Sequence, residues 1–344
     1  MLTYLLRRLL YTIPPLLIIS VIVFLVMQLS PGNFCTTLKL QSEQMYDECV
    51  DRTGIDQPIW VQYGKWIWGI VAEFDFGFSF QNGQPVMNQL FTSGTFESGN
   101  PLVWTLVLSF GAMILSWLLA LPLGIYAATH QGTWRDWAVN VFGFIGLSIP
   151  NFFLAVGILW LLVVVFQVGN NCWQSEQLNQ EVCLGVSGLF DGGFVTAAWS
   201  WEKFLNLLWH LWPAFLVITA ANFAAIVRYV RSEMLNVLSE PYVQTARSKG
   251  LRERVVILKH ALKNALNPLI SMLGYWLPSM FEGTLVAAMI LQLPTVEGAY
   301  WTALRQGDQY VVMAGLLFFS MILIVGNLLS DFLLAWVNPK IRYQ

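Results

Sequence analysis

Long, nearly uninterrupted runs of apolar residues dominate the pattern of this sequence. A helix needs about 20 such residues to cross the hydrocarbon core of a bilayer, and six segments reach that length. They are about Leu9–Leu29, Leu102–Ala127, Val139–Val168, Phe204–Val227, Pro268–Leu291 and Val312–Val337. The pattern therefore predicts an all-α membrane protein with six transmembrane helices.

The composition favours the same class. Of the 344 residues, 56% are hydrophobic and only 11% are charged, whereas a soluble domain carries about 25% charged residues. The net charge of −2 produces no strong field that would attract nucleic acid. We therefore expect the lipid membrane, and no nucleic acid, among the partners of this chain.

The distribution of the basic residues predicts the orientation. Cytoplasmic segments of membrane proteins are enriched in Lys and Arg. If the N-terminus is inside, 13 of the 18 basic residues fall on the cytoplasmic side: Arg7, Arg8, Arg135, Arg228, Arg231, Arg247, Lys249, Arg252, Arg254, Lys259, Lys263, Lys340 and Arg342. Both termini are therefore predicted to be cytoplasmic.

This topology divides the chain into three parts. Residues 1–29 form the N-terminal segment and first span, residues 30–101 form a periplasmic loop or cap, and residues 102–344 form a core with spans two to six. The core includes a periplasmic loop at 169–203 and a cytoplasmic loop at 228–267. Aromatic residues in the first loop predict a packed cap or an interfacial helix; the attraction of Trp and Tyr to the membrane interface is the alternative.

All four cysteines lie in the two periplasmic loops. An even number of cysteines on the oxidising side of a membrane favours disulfides. Four cysteines allow three connectivities, of which we predict the local one, Cys35–Cys49 and Cys172–Cys183. Four free thiols are the alternative. The spacing of Cys and His matches no zinc site, so no metal is predicted.

The cytoplasmic loop contains the signals of a short helix. Ser239 is suited to cap its N-terminus, Glu240 lies at the positive end of the helix dipole, and Pro241 is tolerated in the first turn. Gly250 fits the left-handed position just past the C-terminus. The signals predict a helix of about nine residues, about 13 Å long.

A second helix is predicted at about Arg252–Leu266. Its apolar residues recur at helical spacing beside a basic face, which is typical of a helix on a membrane surface: Val255, Leu258, Leu262, Ala265 and Leu266. A short helix held between two such arms can transmit force from a soluble partner into the membrane. An ordinary basic loop is the alternative.

The same loop carries the motifs of a known family. Tyr242-Val243, Thr245-Ala246 and Lys249-Gly250-Leu251 precede the run His260–Leu266. With them the sequence resembles the membrane subunits of bacterial ATP-binding-cassette importers, in the dipeptide, oligopeptide and nickel branch. The likeness extends over nearly the whole chain, through Leu5–Leu10, Ser30-Pro31-Gly32, Asp56-Gln57-Pro58, Val61-Gln62-Tyr63, Gly146–Pro150, Asp308-Gln309-Tyr310 and Asn338–Arg342. It departs at Gln244, where the general importer loop has Glu.

The resemblance implies a multi-pass subunit of the bacterial inner membrane that forms half of a pathway for peptides or related compounds. Its implied partners are a second homologous permease subunit, two ATPase subunits and a periplasmic substrate-binding protein. No cofactor is expected on this chain, because ATP and Mg²⁺ would bind the ATPases. Coupling to the ATPases is assigned to Glu240, Tyr242, Val243, Thr245, Ala246, Arg247, Lys249, Gly250 and Leu251.

Substrate contact is assigned to Glu282, Ser148 and Asn151. A charge inside the membrane is costly and should face a wet cavity or a partner, so Glu282 is predicted to meet the substrate's amine or to tune the cavity. A structural hydrogen bond to the partner subunit, or a neutral, protonated carboxyl, is the alternative. Breaks in spans three and five at Pro150 and Pro278 could line a cavity; simple kinks are the alternative.

Other functions are less well supported. The sequence has no phosphate-binding loop of the Walker type, no nucleophile elbow and no metal motif, so we predict no catalytic residues and no enzyme activity. The alternative to an importer subunit is an ion-coupled secondary transporter or channel, which would usually show two repeated halves. A structural membrane protein would not need the capped cytoplasmic helix.

Overall fold

The computed structural model describes residues 2–29, 35, 42–94 and 99–337. In these ranges the chain is mostly helical, in chain order α1 Leu2–Leu29, α2 Glu43–Thr53, α3 Ile59–Trp68, α4 Pro101–Thr129, α5 Trp134–Ser148, α6 Asn151–Trp160, α7 Trp201–Leu238, α8 Pro241–Ser248, α9 Glu253–Val255, α10 Leu262–Leu291, α11 Val296–Gln306 and α12 Gln309–Val337. Wider π-helical turns occupy Gly69–Glu73, Asn88–Thr92, Leu161–Val165 and Val256–Ala261. Strands β1 Cys172–Ser175 and β2 Gln180–Cys183 form an antiparallel hairpin.

Five helical stretches in the described part of the chain are long and apolar enough to cross a membrane. They are Arg8–Leu29, Pro101–Thr129, Asn151–Asn170, Trp201–Ala220 and Gln309–Leu334. The described part of the chain is therefore mostly helical and has several helices of membrane-spanning length, in agreement with the predicted all-α membrane class. The remaining predicted span, Pro268–Leu291, lies within the 30-residue helix α10 but is not one of these five, so the count of six stays a prediction.

The chain forms two compact units. One consists of Arg7–Thr105 and Leu293–Ile322. In it the aromatic residues of the first predicted outer loop are partly packed: Tyr63 and Trp66 of α3 contact Phe24 of α1, with ring centroids 5.5 and 5.7 Å apart. Trp60, by contrast, is exposed. This loop therefore has both a packed side and an exposed aromatic side.

Residues of two of the sequence motifs hold this unit together by hydrogen bonds. The Gln62 amide donates to the carbonyls of Ile55 and Gln57, at 3.1 and 2.7 Å, and accepts from Gln28 at 2.8 Å. Ser79 donates to the buried carboxylate of Asp308. The Asp-Gln-Pro and Asp-Gln-Tyr motifs thus have structural roles in this unit.

The other unit consists of Leu106–Gln292 with residues 2–6 and 323–337. Within it, α5 and α7 run antiparallel in close contact. A Cβ on Gly146 would lie 3.1 Å from the Cβ of Ala224 and 3.2 Å from the carbonyl oxygen of Ala220. Small residues at such positions let membrane helices approach closely. Helix α7 also packs against α4 and α10 through a buried cluster that includes Ala120, Ile226, Val230, Met234, Ala265 and Leu269.

The second predicted outer loop contains the β-hairpin, which the apolar pattern did not predict. Cys172 and Cys183 face each other across it and form a disulfide, as predicted. Cys35 is also disulfide-bonded, but the side chain of Cys49 lies outside the described residues, so that pairing stays a prediction.

The two predicted proline breaks differ. Span three is interrupted: α5 ends at Ser148, Ile149 is extended with φ −91° and ψ 115°, and α6 begins at Asn151 after Pro150. Helix α10 instead runs without a break past position 278. The break predicted at Pro278 is therefore wrong, because a long helix packed on its neighbours tolerates proline.

Candidate functional site

The short helix predicted between spans four and five is present as α8. It begins at Pro241, and Glu240, in an extended conformation with φ −67° and ψ 143°, occupies the N-cap position without a side-chain cap bond. Ser239 does not cap it, contrary to our prediction. Its backbone is still helical, with φ −84° and ψ −11°, and its hydroxyl donates to the carbonyl of Asn236 at 2.7 Å. Ser239 therefore ends α7 instead of starting α8.

The C-terminal end of α8 is as predicted. The helix ends at Ser248, and Gly250 adopts a left-handed conformation with φ +72°. Glycine reaches this conformation without the steric cost that a Cβ would impose. The helix therefore ends before Gly250, and α9 begins three residues after it, at Glu253.

One side of α8 is buried against its own protein. Val243 and Ala246 are 0% and 5% exposed and pack with the fully buried Val256, while Val237 and Leu238 of α7 lie against the same cluster. Two of the residues assigned to coupling therefore hold α8 against the neighbouring helices. For these two residues to contact another subunit directly, α8 would have to move away from this buried cluster.

Two polar contacts fix α8 further. The amide of Asn264 on α10 donates to the phenol oxygen of Tyr242 at 2.7 Å. Arg247 donates to Glu253 on α9, with Nη2 and Oε1 2.7 Å apart. The hydrogen bond from Arg247 holds the pKa of Glu253 below its ordinary value, so the pair is charged at neutral pH.

The opposite side of α8 is open. The exposed residues of this segment include Glu240, Tyr242, Gln244, Thr245, Ser248, Lys249, Gly250 and Leu251. Tyr242 and Leu251, each 41% exposed, add apolar surface to an otherwise polar face. We call this set the exposed face of α8. Most of the residues predicted to couple the chain to an ATPase thus lie on it.

The second predicted cytoplasmic helix differs from our expectation. α9, the π-helical turn Val256–Ala261 and α10 form one continuous helical run, so no separate surface helix ends near Leu266. The wider π turn shifts the helical phase. As a result Val256 is buried while Leu258, predicted to be on the apolar side, is 59% exposed.

The residues assigned to substrate contact lie at two places. Ser148 and Asn151 are on either side of the break at Pro150, and the Ser148 hydroxyl donates to the carbonyl of Phe144 at 2.7 Å. Glu282 is within α10, but its side chain lies outside the described residues. Their shared role stays a prediction. Within the described ranges, no group of three or more His, Cys, Asp or Glu side chains could hold a metal ion.

Sequence comparison identifies the family. The model of the binding-protein-dependent transport system inner membrane component matches residues 120–343, and the model of the N-terminal part of such membrane components matches residues 1–100. The chain belongs to this family. Its members are transport subunits, so the predicted importer permease is confirmed and an enzyme or an ion-coupled transporter is not favoured.

Similar proteins of known name match this chain over its full length. The oligopeptide transport system permease protein AppB of Bacillus subtilis (strain 168) is 32% identical over 347 residues. The glutathione transport system permease protein GsiC of Salmonella paratyphi A is 31% identical over 348 residues. The dipeptide transport system permease protein DppB of Escherichia coli (strain K12) is 30% identical over 350 residues. Each match spans 100% of both chains.

Proposed function

We propose that this permease forms half of the pathway of an ATP-driven importer for dipeptides, oligopeptides or related compounds. A second homologous permease supplies the other half, two ATPase subunits bind on the cytoplasmic side, and a periplasmic binding protein delivers the cargo. The names of the relatives support a cargo of this class, since they carry oligopeptides, dipeptides and glutathione.

The proposed topology has six spans with both termini in the cytoplasm of a bacterium. Five helical stretches of sufficient length and the 30-residue helix α10 support the count. The basic residues support the orientation, because the long loop that contains α8 carries eight of the 18 and is then cytoplasmic. The hairpin disulfide Cys172–Cys183 fits the same orientation, since its loop then faces the oxidising periplasm.

The observation that carries the proposal is the two-sided character of α8. Val243 and Ala246 are buried against the cluster that includes Val256, while the residues on the exposed face are available to a partner. A helix fixed on one side and open on the other can be pushed as a unit. ATPase closure would then move α7 and α10, to which α8 is joined, and open the pathway.

The cargo would pass near Glu282, Ser148 and Asn151. Glu282 is placed in a predicted span, and a carboxylate there suits the amine of a peptide. Replacing it by Gln keeps the size and removes the charge. Glu282→Gln should change the rate or substrate profile of uptake while assembly stays intact; an unchanged profile and rate would exclude this role.

Co-purification tests the proposed assembly. The tagged permease, extracted from its native membrane in mild detergent, should bring down a sister permease and two ATPase chains, and reconstituted vesicles should take up peptide only with ATP and binding protein. Isolation of the chain alone, with uptake driven by an ion gradient, would contradict the proposal.

A further inference from the structure

A groove lies beside the antiparallel pair α5 and α7. Asp136 of α5 contacts Arg231 of α7, with Oδ1 and Nε 2.6 Å apart, toward one end of the pair. Gly146 lies against Ala220 and Ala224 toward the other end. The groove has a volume of about 580 Å³, and its lining includes Asn140, Phe144, Leu147, Ala225, Arg228 and Ser232.

Polar and apolar residues of the groove lining lie at opposite ends along the helix axes. Arg228, Arg231 and Ser232 follow one another toward the C-terminal end of α7, and Asn140 joins them from α5 through its hydrogen bond to Asp136, 2.8 Å long. Leu147 lies toward the other end, one residue past Gly146. The groove therefore has a polar end and an apolar end, which is the pattern that fits an amphiphile.

The polar end carries a net positive charge. Arg231 donates through Nε and Nη2 to the two oxygens of Asp136, at 2.6 and 2.8 Å. The hydrogen bond from Arg231 lowers the pKa of Asp136, so this pair is ionised and its charges cancel. The guanidinium of Arg228 lies over the ring of Phe144, 5.0 Å from its centroid, and no carboxylate within the described ranges forms an ion pair with it. Arg228 therefore contributes one uncompensated positive charge to the groove.

We propose that this groove binds an anionic phospholipid, with the phosphate at Arg228 and Ser232 and an acyl chain along Phe144 and Leu147. The Ser232 hydroxyl can donate to a phosphate oxygen. The N–H groups of the Asn140 amide are donated to Asp136, so its carbonyl oxygen is left to accept from a headgroup hydroxyl. Arg231 stays paired with Asp136 and positions the polar end.

The position of Arg228 in the sequence supports a lipid as the source of the phosphate. The apolar run of the fourth predicted span ends at Val227, and Arg228 is the next residue. The arginine thus lies at the level where lipid headgroups begin, and basic pockets between membrane helices at this level bind anionic headgroups. This inference uses the proposed membrane placement of α7 but not the proposed cargo or the ATP-driven cycle.

Native mass spectrometry of the full-length permease with its co-purifying subunits tests the site. The delipidated protein is titrated with dioleoylphosphatidylglycerol or with dioleoylphosphatidylcholine, without ATP or peptide. We expect preferential retention of phosphatidylglycerol. Arg228→Gln should weaken its binding about five-fold, Arg228→Lys should retain most of it, and Arg254→Gln, at an exposed position on α9, should leave it unchanged.

Three outcomes would overturn the proposal: equal retention of the two lipids, unchanged binding in Arg228→Gln, or displacement of phosphatidylglycerol by inorganic phosphate, which would indicate a site for free phosphate. If Arg228→Gln does not assemble, Phe144→Ala serves as the second variant. It should reduce retention of phosphatidylglycerol, and unchanged retention would equally overturn the site. Because no transport is measured, a negative result leaves the proposed function standing.

Discussion

The side-chain amide of Asn264 donates a 2.7 Å hydrogen bond to the phenol oxygen of Tyr242. The two residues are 22 positions apart, one in the Tyr-Val motif of α8 and the other in the His-Ala-Leu run that continues into α10. Together with the buried contact of Val243 and Val256, this bond joins α8 to the start of a long helix. The two motifs of this segment are therefore parts of one connection between α8 and α10.

Breaking this bond should loosen the connection without removing the exposed face of α8. We expect Tyr242→Phe and Asn264→Leu each to cost about 0.5–1.5 kcal/mol of local stability, and the double variant to cost less than the sum of the two. Hydrogen exchange of the α8 amides measures the loss, and the ratio of peptide transported to ATP hydrolysed should fall with it.

Ser248→Ala is the matched control for the Tyr242 and Asn264 variants. Among the residues that the structure describes, the Ser248 hydroxyl donates only to the carbonyl of Gln244 within α8, at 3.0 Å, so its removal leaves the connection to α10 intact. Equal losses of transport in this control and in Tyr242→Phe, or strictly additive effects of the Tyr242 and Asn264 changes, would contradict the role of the bond.

The ion pair between Arg247 and Glu253 should contribute little to stability. Both side chains are substantially exposed, at 36% and 54%, and exposed pairs are worth about 0.2–1 kcal/mol. Because the pKa of Glu253 is lowered from 4.5 in the folded protein, the contribution is present above that value and is lost as pH falls through the folded pKa. Hydrogen exchange of wild type and Arg247→Gln should differ at neutral pH and converge in acid or high salt; a difference that survives both conditions would refute this.

Ionisation of Glu297 at high pH should destabilise the compact unit formed by Arg7–Thr105 and Leu293–Ile322. Burial raises its pKa from 4.5 to about 7. Oε2 accepts from the Thr105 hydroxyl at 2.7 Å, while the buried Oε1 has no hydrogen-bond partner among the described residues. The folded state therefore favours the neutral acid, and the stability that this proton provides is lost as pH rises from 4.5 to about 7.

The Glu297→Gln variant removes this titration. Above pH 7 it should be more stable than wild type by up to about 3 kcal/mol, and the advantage should vanish toward pH 4. Thermal unfolding of the purified protein across this range measures the difference. Glu73→Gln, at an exposed position in the same unit, is the control, and a pH-independent difference for Glu297→Gln would show that the carboxyl does not titrate in this range.

Asp191 should anchor the loop between α6 and α7, the second predicted outer loop, to α7. The Asn206 amide and the Gly185 N–H donate to its two carboxylate oxygens, each at 2.6 Å, and Nε2 of the buried His210 lies 3.3 Å away. Burial works to raise the pKa of Asp191, but these contacts outweigh it and the pKa lies below 3.8. The stabilisation is therefore present above that value and is lost as pH falls through the folded pKa.

Asp191→Ala leaves these donors without an acceptor and should cost about 1–3 kcal/mol. Thermal unfolding at neutral pH measures the loss, with Glu181→Ala on the exposed side of β2 as the control. If both variants unfolded at the same temperature as wild type, the loop would be held by its other contacts.

Patterns that repeat along the chain were predictable, and contacts between distant residues were not. Apolar length placed the helices, and Gly250 marked the end of α8 because its left-handed conformation leaves a local signature. We predicted Ser239 as the cap of α8, whereas it ends α7, because a serine between two helices can end the first or start the second. The π-helical turn at Val256–Ala261 and the cluster of Asp191, Asn206 and Gly185 depend on tertiary packing, which periodicity does not record.

The proposed function requires the exposed face of α8 to contact an ATPase on the cytoplasmic side. Single-cysteine cross-linking tests it most directly, with Gln244→Cys on the exposed face and Val243→Cys on the buried side. We expect Gln244→Cys, in inside-out membrane vesicles, to form a cross-link to the ATPase whose yield changes with ATP, and Val243→Cys to form none. Labelling of Gln244→Cys by an impermeant reagent added outside intact cells, without any cross-link to the ATPase, would contradict it.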